Sequence, residues 1–407
     1  MNDKVAPALG SNRVGTSRED LRIHNLSLLL SLVHRTGSIS RSDLTAATGL
    51  NRSTISDLVS ELVSIGLLTE SEKPQASGVG RPSHVVAATS GVVAFAVELS
   101  SYAVRVAAVG LAGRVFERRR VVTGLMPSPE KIVEIVAAQV HEIRSLLDKS
   151  TKITGIGISV PGQVNEGTGV IRLVTSLGWA DIALADMVAE ATRLPVWLGN
   201  DGTISCAAER DFGAGRGFSE IVYLFGGSGG IGGGVVVGGK LLRGASGFAG
   251  ELGHMRISDS RSEDTAGLAG TVEALLSRED LLDALRLDDA DDDELLTAIS
   301  RGQSPRVKKL IERQIDILGT VIANVVNIFN PEVVLLAGFL SVLFEADDYR
   351  LLANARAGSL AGAREKVVIR KAELGSNLVL VGAAELAFAE VLANPAGAKL
   401  YSPKKAK

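Results

Sequence analysis

Residues 37–68 read GSISRSDLTAATGLNRSTISDLVSELVSIGLL. Ser40 stands where a helix needs an N-cap, with Asp43 in the first turn behind it, and Gly49 stops the short helix that follows. Asn51 then caps a helix running to about Ile65, ended by Gly66. Its Ile55, Leu58, Val59, Leu62 and Val63 recur at helical spacing and turn one face inward. Two helices joined by a tight glycine turn form a helix-turn-helix, whose second helix presents its first residues to base edges. Upstream, Leu21, Asn25, Leu28, Leu29, Leu32 and Val33 predict a supporting helix over 20–35. Downstream, residues 67–70 and 84–87 are expected to pair as a wing around a loop containing GVGRP.

The exposed polar residues of this unit are Arg41, Asn51, Arg52, Ser53, Thr54 and Ser56, with Arg81 in the loop. Arg52 suits a guanine edge or a phosphate, the hydroxyls suit either, and Arg41 is expected on a phosphate. Arg81 either enters a minor groove or fixes the linker. An ordinary helical hairpin with solvated polar residues is the bland alternative. It is disfavoured because cap, turn glycine, core spacing and wing all agree.

The whole chain of 407 residues carries a net charge of −3, so it is no basic nucleic-acid coat. Residues 1–86 hold nine Lys/Arg against eight Asp/Glu, and the remainder 34 against 38. DNA binding therefore calls for a local basic face and for pairing of two heads. The single cysteine, Cys206, cannot form an internal disulfide and fits a reducing compartment. The N-terminus lacks the apolar core of a signal peptide, and charges or glycines interrupt every long apolar run. A cytoplasmic protein with no membrane partner is expected.

From about residue 90 the pattern changes. Strands are expected over 92–99, 102–110, 114–123, 153–160, 196–198, 221–225, 232–237, 333–337 and 366–370. Helices are expected over 129–147, 183–192, 203–212, 304–330 and 381–392. Strand triplets and helices recur on two sides of a cleft, which gives a two-lobed α/β body. The domain plan is a disordered 1–16, a head over 17–88, a body over 89–395 and a basic tail over 396–407, of which 401–407 is expected to fray.

Residues 226–234, GGSGGIGGG, either bring bare backbone against a phosphate or simply form a tight hairpin. Asn200-Asp201 follows the strand VWLG, where a carboxylate can take a proton from a sugar hydroxyl or merely cap the next helix. Glu251 and His254 lie three apart in AGELGH, and Glu273 follows. Carboxylates and an imidazole pair well with vicinal hydroxyls. Trp179 either stacks on a sugar face or packs structurally.

These motifs resemble the repressor, open reading frame and kinase (ROK) family, from about Asp20 to the closing helix. The most specific stretch is residues 230–254, GIGGGVVVGGKLLRGASGFAGELGH. The resemblance implies a winged helix-turn-helix followed by an actin-like ATPase or sugar-kinase body of two lobes. It places Asn200, Asp201, Glu251, His254 and Glu273 on sugar-binding positions, Asp201 on the kinase members' catalytic base, and Pro161-Gly162 in the cleft wall.

Two departures stand out. Kinase members hold ATP phosphates on a DxGxT-like turn, and here that stretch is Glu98-Leu99-Ser100-Ser101-Tyr102; Phe339 also stands where kinases tend to have glycine. Weak or absent ATP binding and no physiological kinase activity are expected, with Asp201 a vestigial base. Many members also hold zinc with the histidine and three cysteines, whose positions here carry Asp264, Ala266 and Thr271. His254 with Asp264 is too small a ligand set, so no zinc is expected. A mobile 258–270 loop and a need for some other partner to orient His254 follow from that. The reading is a DNA-binding regulator that responds to a sugar or sugar phosphate in the cleft, a repressor of carbohydrate genes, acting on operator DNA as a homodimer or tetramer. A sugar kinase carrying a DNA head is the alternative, and a dimerisation scaffold with a vestigial cleft the third.

Overall fold

The structure is a computed structural model and describes all residues except 1–16, 73–83, 101, 125–126, 228, 246, 288–289, 302–303 and 404–407. The expected disorder of 1–16 and the role of Arg81 lie outside the described residues.

Helix α1 (Arg18–Thr36) opens on a capping box between Ser17 and Asp20 and stops at Gly37 with φ 75°. After β1 (Ser38–Ser40), Ser40 caps α2 (Arg41–Thr48) by accepting from the Asp43 amide, and Gly49 ends it in the left-handed region. Asn51 caps α3 (Arg52–Ser64) by accepting from the Thr54 amide. β2 (Leu68–Glu72) and β3 (His84–Ala88) form the antiparallel wing, and β1 joins its other edge in the order β1-β3-β2. Strand β1 is unforeseen because Ser-Ile-Ser reads locally as a cap approach and extends only once β3 lies beside it. Leu26, Leu29, Leu30, Val33, Leu44, Ile55, Leu58, Val59 and Leu62 close the head's core. Leu21 and Val63, expected inside, are 54% and 37% exposed, so each helix buries a narrower stripe than its pattern suggests.

The first lobe contains β4 (Val92–Leu99), β5 (Ala103–Gly110), β6 (Val115–Val122), α4 (Pro129–Leu146) and β7 (Lys152–Val160). A small sheet of β8 (Gln163–Asn165), β9 (Val170–Val174) and β10 (Trp179–Ile182) follows, then α5 (Leu184–Thr192), β11 (Val196–Asn200) and α6 (Asp201–Phe212). The second lobe begins with β12 (Ile221–Gly227), β13 (Gly230–Val237) and β14 (Lys240–Leu241). It continues through α7 (Val272–Leu275), α8 (Arg278–Leu285), α9 (Asp292–Ser300) and α10 (Pro305–Phe329) to β15 (Val333–Gly338). It closes with α11 (Phe339–Ala346), α12 (Asp348–Gly358), α13 (Ala361–Arg364), β16 (Val368–Lys371) and α14 (Leu378–Ala393).

The two large sheets share one plan. β11-β7-β4-β5-β6 and β14-β13-β12-β15-β16 each hold three antiparallel strands extended by two parallel ones. The cleft opens between the lobes, and α6 crosses from β11 to pack on both β13 and α14.

Two expectations need correction. Residues 375–393 are long and apolar enough, by composition, to cross a membrane. Here that stretch lies against β4, β7 and α6 and buries Leu378, Leu380, Val381, Ala383, Ala384, Ala387 and Phe388, the behaviour of a core helix. The tail is not frayed throughout either. Tyr401 exchanges two backbone hydrogen bonds of 2.8 Å with Ile153, and Arg144 donates to the Ser402 carbonyl at 2.7 Å.

Candidate functional site

Asn200 ends β11 and is the N-cap of α6: its Oδ1 accepts from the Thr203 amide at 3.0 Å, and its Nδ2 donates to the Gly162 carbonyl at 3.1 Å. The cap therefore ties α6 to the Pro161-Gly162 turn. Asp201 is the first helical residue, and Oδ1 accepts from the Gly202 amide at 2.8 Å. It caps nothing beyond that. Gly202 is obligatory, because a Cβ there would lie 2.6 Å from the Gly233 carbonyl oxygen. This contact seats α6 against the glycine-rich strand β13.

Residues 226–227 and 230–234 belong to the paired strands β12 and β13, with Gly227 opposite Gly230. Their bareness makes room for protein groups as well as ligand. Gly230 has φ 123°, and a Cβ there would meet the Glu273 carboxylate at 2.1 Å. Glu273 accepts from the Ile231 amide at 2.8 Å and from the Thr265 amide and hydroxyl at 3.0 and 2.5 Å. The Phe339 ring is 1% exposed and lies where a Cβ on Gly226 would sit, 2.4 Å away.

Asn200, Asp201, Glu251, His254 and Glu273 line one cavity of about 190 Å³, together with Pro161 and Gly162. Burial, then the neighbouring Glu251 and Glu98 charges, push the Asp201 carboxyl up to about 7 against the Gly202 hydrogen bond. Burial, helped by Glu273 and opposed by His254, also raises Glu251. Burial pulls His254 down, but the Asp264 hydrogen bond and the charges of Glu273, Asp264 and Glu251 outweigh it, and its pKa rises. The pocket is thus a dense acceptor set around one cationic-leaning imidazole, suited to a neutral polyol rather than to an anion.

Asp264 is the residue whose role the sequence reading missed. Its Oδ2 sits 2.8 Å from His254 Nδ1 and accepts from Thr271 Oγ at 2.8 Å, while Oδ1 accepts from the Ala266 and Leu268 amides at 2.9 Å each. Its side chain is fully covered. The 258–270 loop, expected to be mobile, is therefore clipped by one carboxylate at the position of the missing cysteines. Bridges between Arg256 and Thr271 and between Glu263 and Ala269 add to the clip. An aspartate in DTAGLAGT, with two amides in reach after it, is an Asx-turn signal that could have been read. His254, Asp264 and Glu273 each offer a ligand atom within 4.8 Å of the others. All three have protein partners: Asp264 accepts four hydrogen bonds and Glu273 three, which leaves Glu273 an acceptor site facing the cavity.

Glu98, on the equivalent of the phosphate turn, pairs with Arg105 of β5. Arg105 also donates to the Ser376 carbonyl at 3.1 Å. Burial raises the Glu98 carboxyl, and the Arg105 charge opposes the rise. The carboxylate that lines the cleft at the phosphate-turn position is thus paired with a cation inside the protein. Trp179 is 4% exposed and donates from Nε1 to the Pro127 carbonyl at 3.1 Å, which settles it as a packing residue.

In the head, Asn51, Arg52 and Ser53 are exposed at the start of α3 and Thr54 and Ser56 are partly so. Ser53 donates to Asn51 Oδ1 at 2.7 Å. Arg41 departs from its expected free phosphate role. Its guanidinium forks onto Glu70 at 2.6 and 2.7 Å and donates to Ser56 Oγ at 3.0 Å, pinning α2 to the wing and to α3. A carboxylate from β2, distant in sequence, claims the charge first.

The ROK family model matches residues 94–390. The chain is 26% identical to a xylose repressor of Caldicellulosiruptor bescii over 91% of its own length and 97% of the relative's. It is 27% identical to a glucokinase of Halalkalibacterium halodurans over 70% of its length and 92% of that enzyme's. A crystal structure of a ROK family transcriptional regulator superposes with a TM-score of 0.73 at 23% identity, covering 92% of this chain and 97% of that one, which shows a shared fold. The family match covers most of the chain, and this protein belongs to the ROK family.

Proposed function

We propose that this chain is a sugar-responsive, DNA-binding transcriptional regulator, a repressor of carbohydrate uptake or catabolism genes. The head comprises residues 17–88 and the body 89–395. The observation that carries the reading is the meeting of Asn200, Asp201, Glu251, His254 and Glu273 in one cavity on a chain that also presents Asn51, Arg52, Ser53 and Thr54 at a helix start. The match over 91% of this chain and 97% of a xylose repressor supports it, since the glucokinase match covers only 70% of this chain. The effector is a monosaccharide held by neutral hydroxyls, for which D-xylose and D-glucose are the first probes. The protein acts in the cytoplasm as a dimer or tetramer on paired half-sites, without zinc or ATP. Purified protein should shift its own upstream DNA in a mobility assay and release it with one sugar of a panel. No change in DNA affinity with any pentose, hexose or amino sugar overturns the effector role.

One observation favours the kinase reading: a buried Asp201 titrating near neutrality is a general base by chemistry. The Glu98–Arg105 pair argues against it. Coupled ADP release across hexoses, lost in Asp201→Asn, would decide for a kinase.

A further inference from the structure

Two adjacent residues in the last turn of α1 are held by two different helices of the body. His34 is 2% exposed. Its Nδ1 accepts from the Ala112 amide at 3.0 Å, so its proton sits on Nε2, which donates to the Glu385 carboxylate of α14 at 3.0 and 3.1 Å. Arg35 instead reaches Asp211, near the end of α6, at 3.1 Å, and Arg210 Nε donates to the same carboxylate at 2.9 Å.

The other end of α6 is the sugar pocket. Asn200 caps it and Asp201 begins it, while Thr203 and Ile204, one turn on, face a second cavity of about 520 Å³ between α1, α6 and α14. A single helical turn therefore separates the effector pocket from the underside of the head. Ten residues of rigid helix, about 15 Å, lead from Asp201 to Asp211.

The contact between α6 and α14 is close. Gly382 of α14 leaves no room for a Cβ, which would lie 2.6 Å from the Ile204 carbonyl. Backbone meets backbone at that point, while Ile204, Cys206 and Ala208 of α6 pack among α14 side chains on either side of it. The apolar face of α1 shares one buried cluster with Leu380, Ala384, Ala387 and Phe388 of α14 and with a single α6 residue, Ile204, so α1 rides chiefly on α14. Any displacement of α6 along α14 must then be taken up at the His34–Arg35 step, and the open cavity beneath α1 gives it room to turn.

We infer that the His34–Glu385 and Arg35–Asp211 pairs form a fork that reads the position of α6 against α14 and passes occupancy of the Asn200–Asp201 pocket to the DNA head. This deepens the proposed function and rests on it. The fork senses a relative shift, so loss of either tine uncouples the sites and leaves each site intact.

The test uses the full chain as wild type, Asp211→Asn and Glu385→Gln, with Arg35→Gln as the same tine cut from the other side. D-Xylose and D-glucose are titrated by calorimetry, and operator affinity is measured by fluorescence anisotropy with and without saturating sugar. Allosteric factors are typically 5- to 150-fold. The wild-type sugar effect should be about 10-fold or more, and should fall below about 3-fold in each variant. Sugar affinity and sugar-free DNA affinity should stay within about 3-fold of wild type. A sugar effect kept at the wild-type factor in Asp211→Asn and Arg35→Gln overturns the fork alone. A wild type that binds sugar and DNA without mutual effect, or binds no sugar, overturns the functional reading instead.

Discussion

Asp201 should destabilise the sugar-free protein, and the cost should depend on pH in a defined way. Its carboxyl is buried and displaced from the usual 3.8 to about 7, with no cation in contact. At 1.36 kcal/mol per pH unit, that displacement corresponds to about 4 kcal/mol. The native carboxyl holds its proton to higher pH than the unfolded one. Native stability therefore falls as pH climbs from about 4 to about 7, and the full cost is present above that window. Asp201→Asn removes the charge and keeps an oxygen to accept from the Gly202 amide. The variant should match wild type near pH 4, pull ahead through pH 5 and 6, and stay ahead at a constant margin beyond pH 7.5. A margin of about 4 kcal/mol raises the melting point of a body this size by roughly 5–10 °C. Scanning calorimetry of both proteins from pH 4 to pH 8.5, without sugar, measures the gap directly. A variant that melts at or below wild type at pH 8, or a gap flat from pH 4.5 to pH 8, refutes a strained carboxylate in this pocket.

Asp264→Ala strips His254, Thr271 and two amides of their common acceptor, so the 258–270 loop should become protease-sensitive and sugar affinity should fall at least about 10-fold; limited proteolysis and calorimetry check both. His254 titrates above its usual value, so its contribution is present below about pH 6.5 and fades as pH rises through the folded pKa. The melting-point deficit of His254→Gln should accordingly shrink from pH 6 to pH 9. Gly202→Ala drives a methyl onto the Gly233 backbone and should cost at least about 2 kcal/mol of stability, read by urea unfolding. Arg52→Ala should weaken operator binding and lower the salt slope by about one, whereas Arg41→Ala should act chiefly by lowering the melting point of the head.

The head was legible because its signals are local. Ser40, Gly49 and Asn51 set caps and stops within four residues of their own positions, and the structure places each where the spacing puts it. The pocket residues were legible through motif positions, and all five line one cavity. What escaped was every contact in which a distant partner made the choice. Arg41 looked free until Glu70 of the wing came beside it, and Glu98 looked like a damaged phosphate turn until Arg105 arrived from the next strand. The 258–270 loop looked unclipped because the missing cysteines were noticed and the capacity of Asp264 to accept four hydrogen bonds was not.

The three helices and wing of the head, the turn between α2 and α3, and the identity of the acceptor groups were determined by the sequence itself, whereas the β8–β10 sheet and the short helices α7–α9 and α11–α13 of the body were not read from it. The former depend on backbone preferences and on residue chemistry, which act over a few positions. Tertiary structure alone decided which charges are spent internally, that α14 is a core helix, and that α6 touches the pocket at one end and the head at the other. Those outcomes turn on which groups desolvate together, and burial is a property of the assembled layers that no short window of the chain contains.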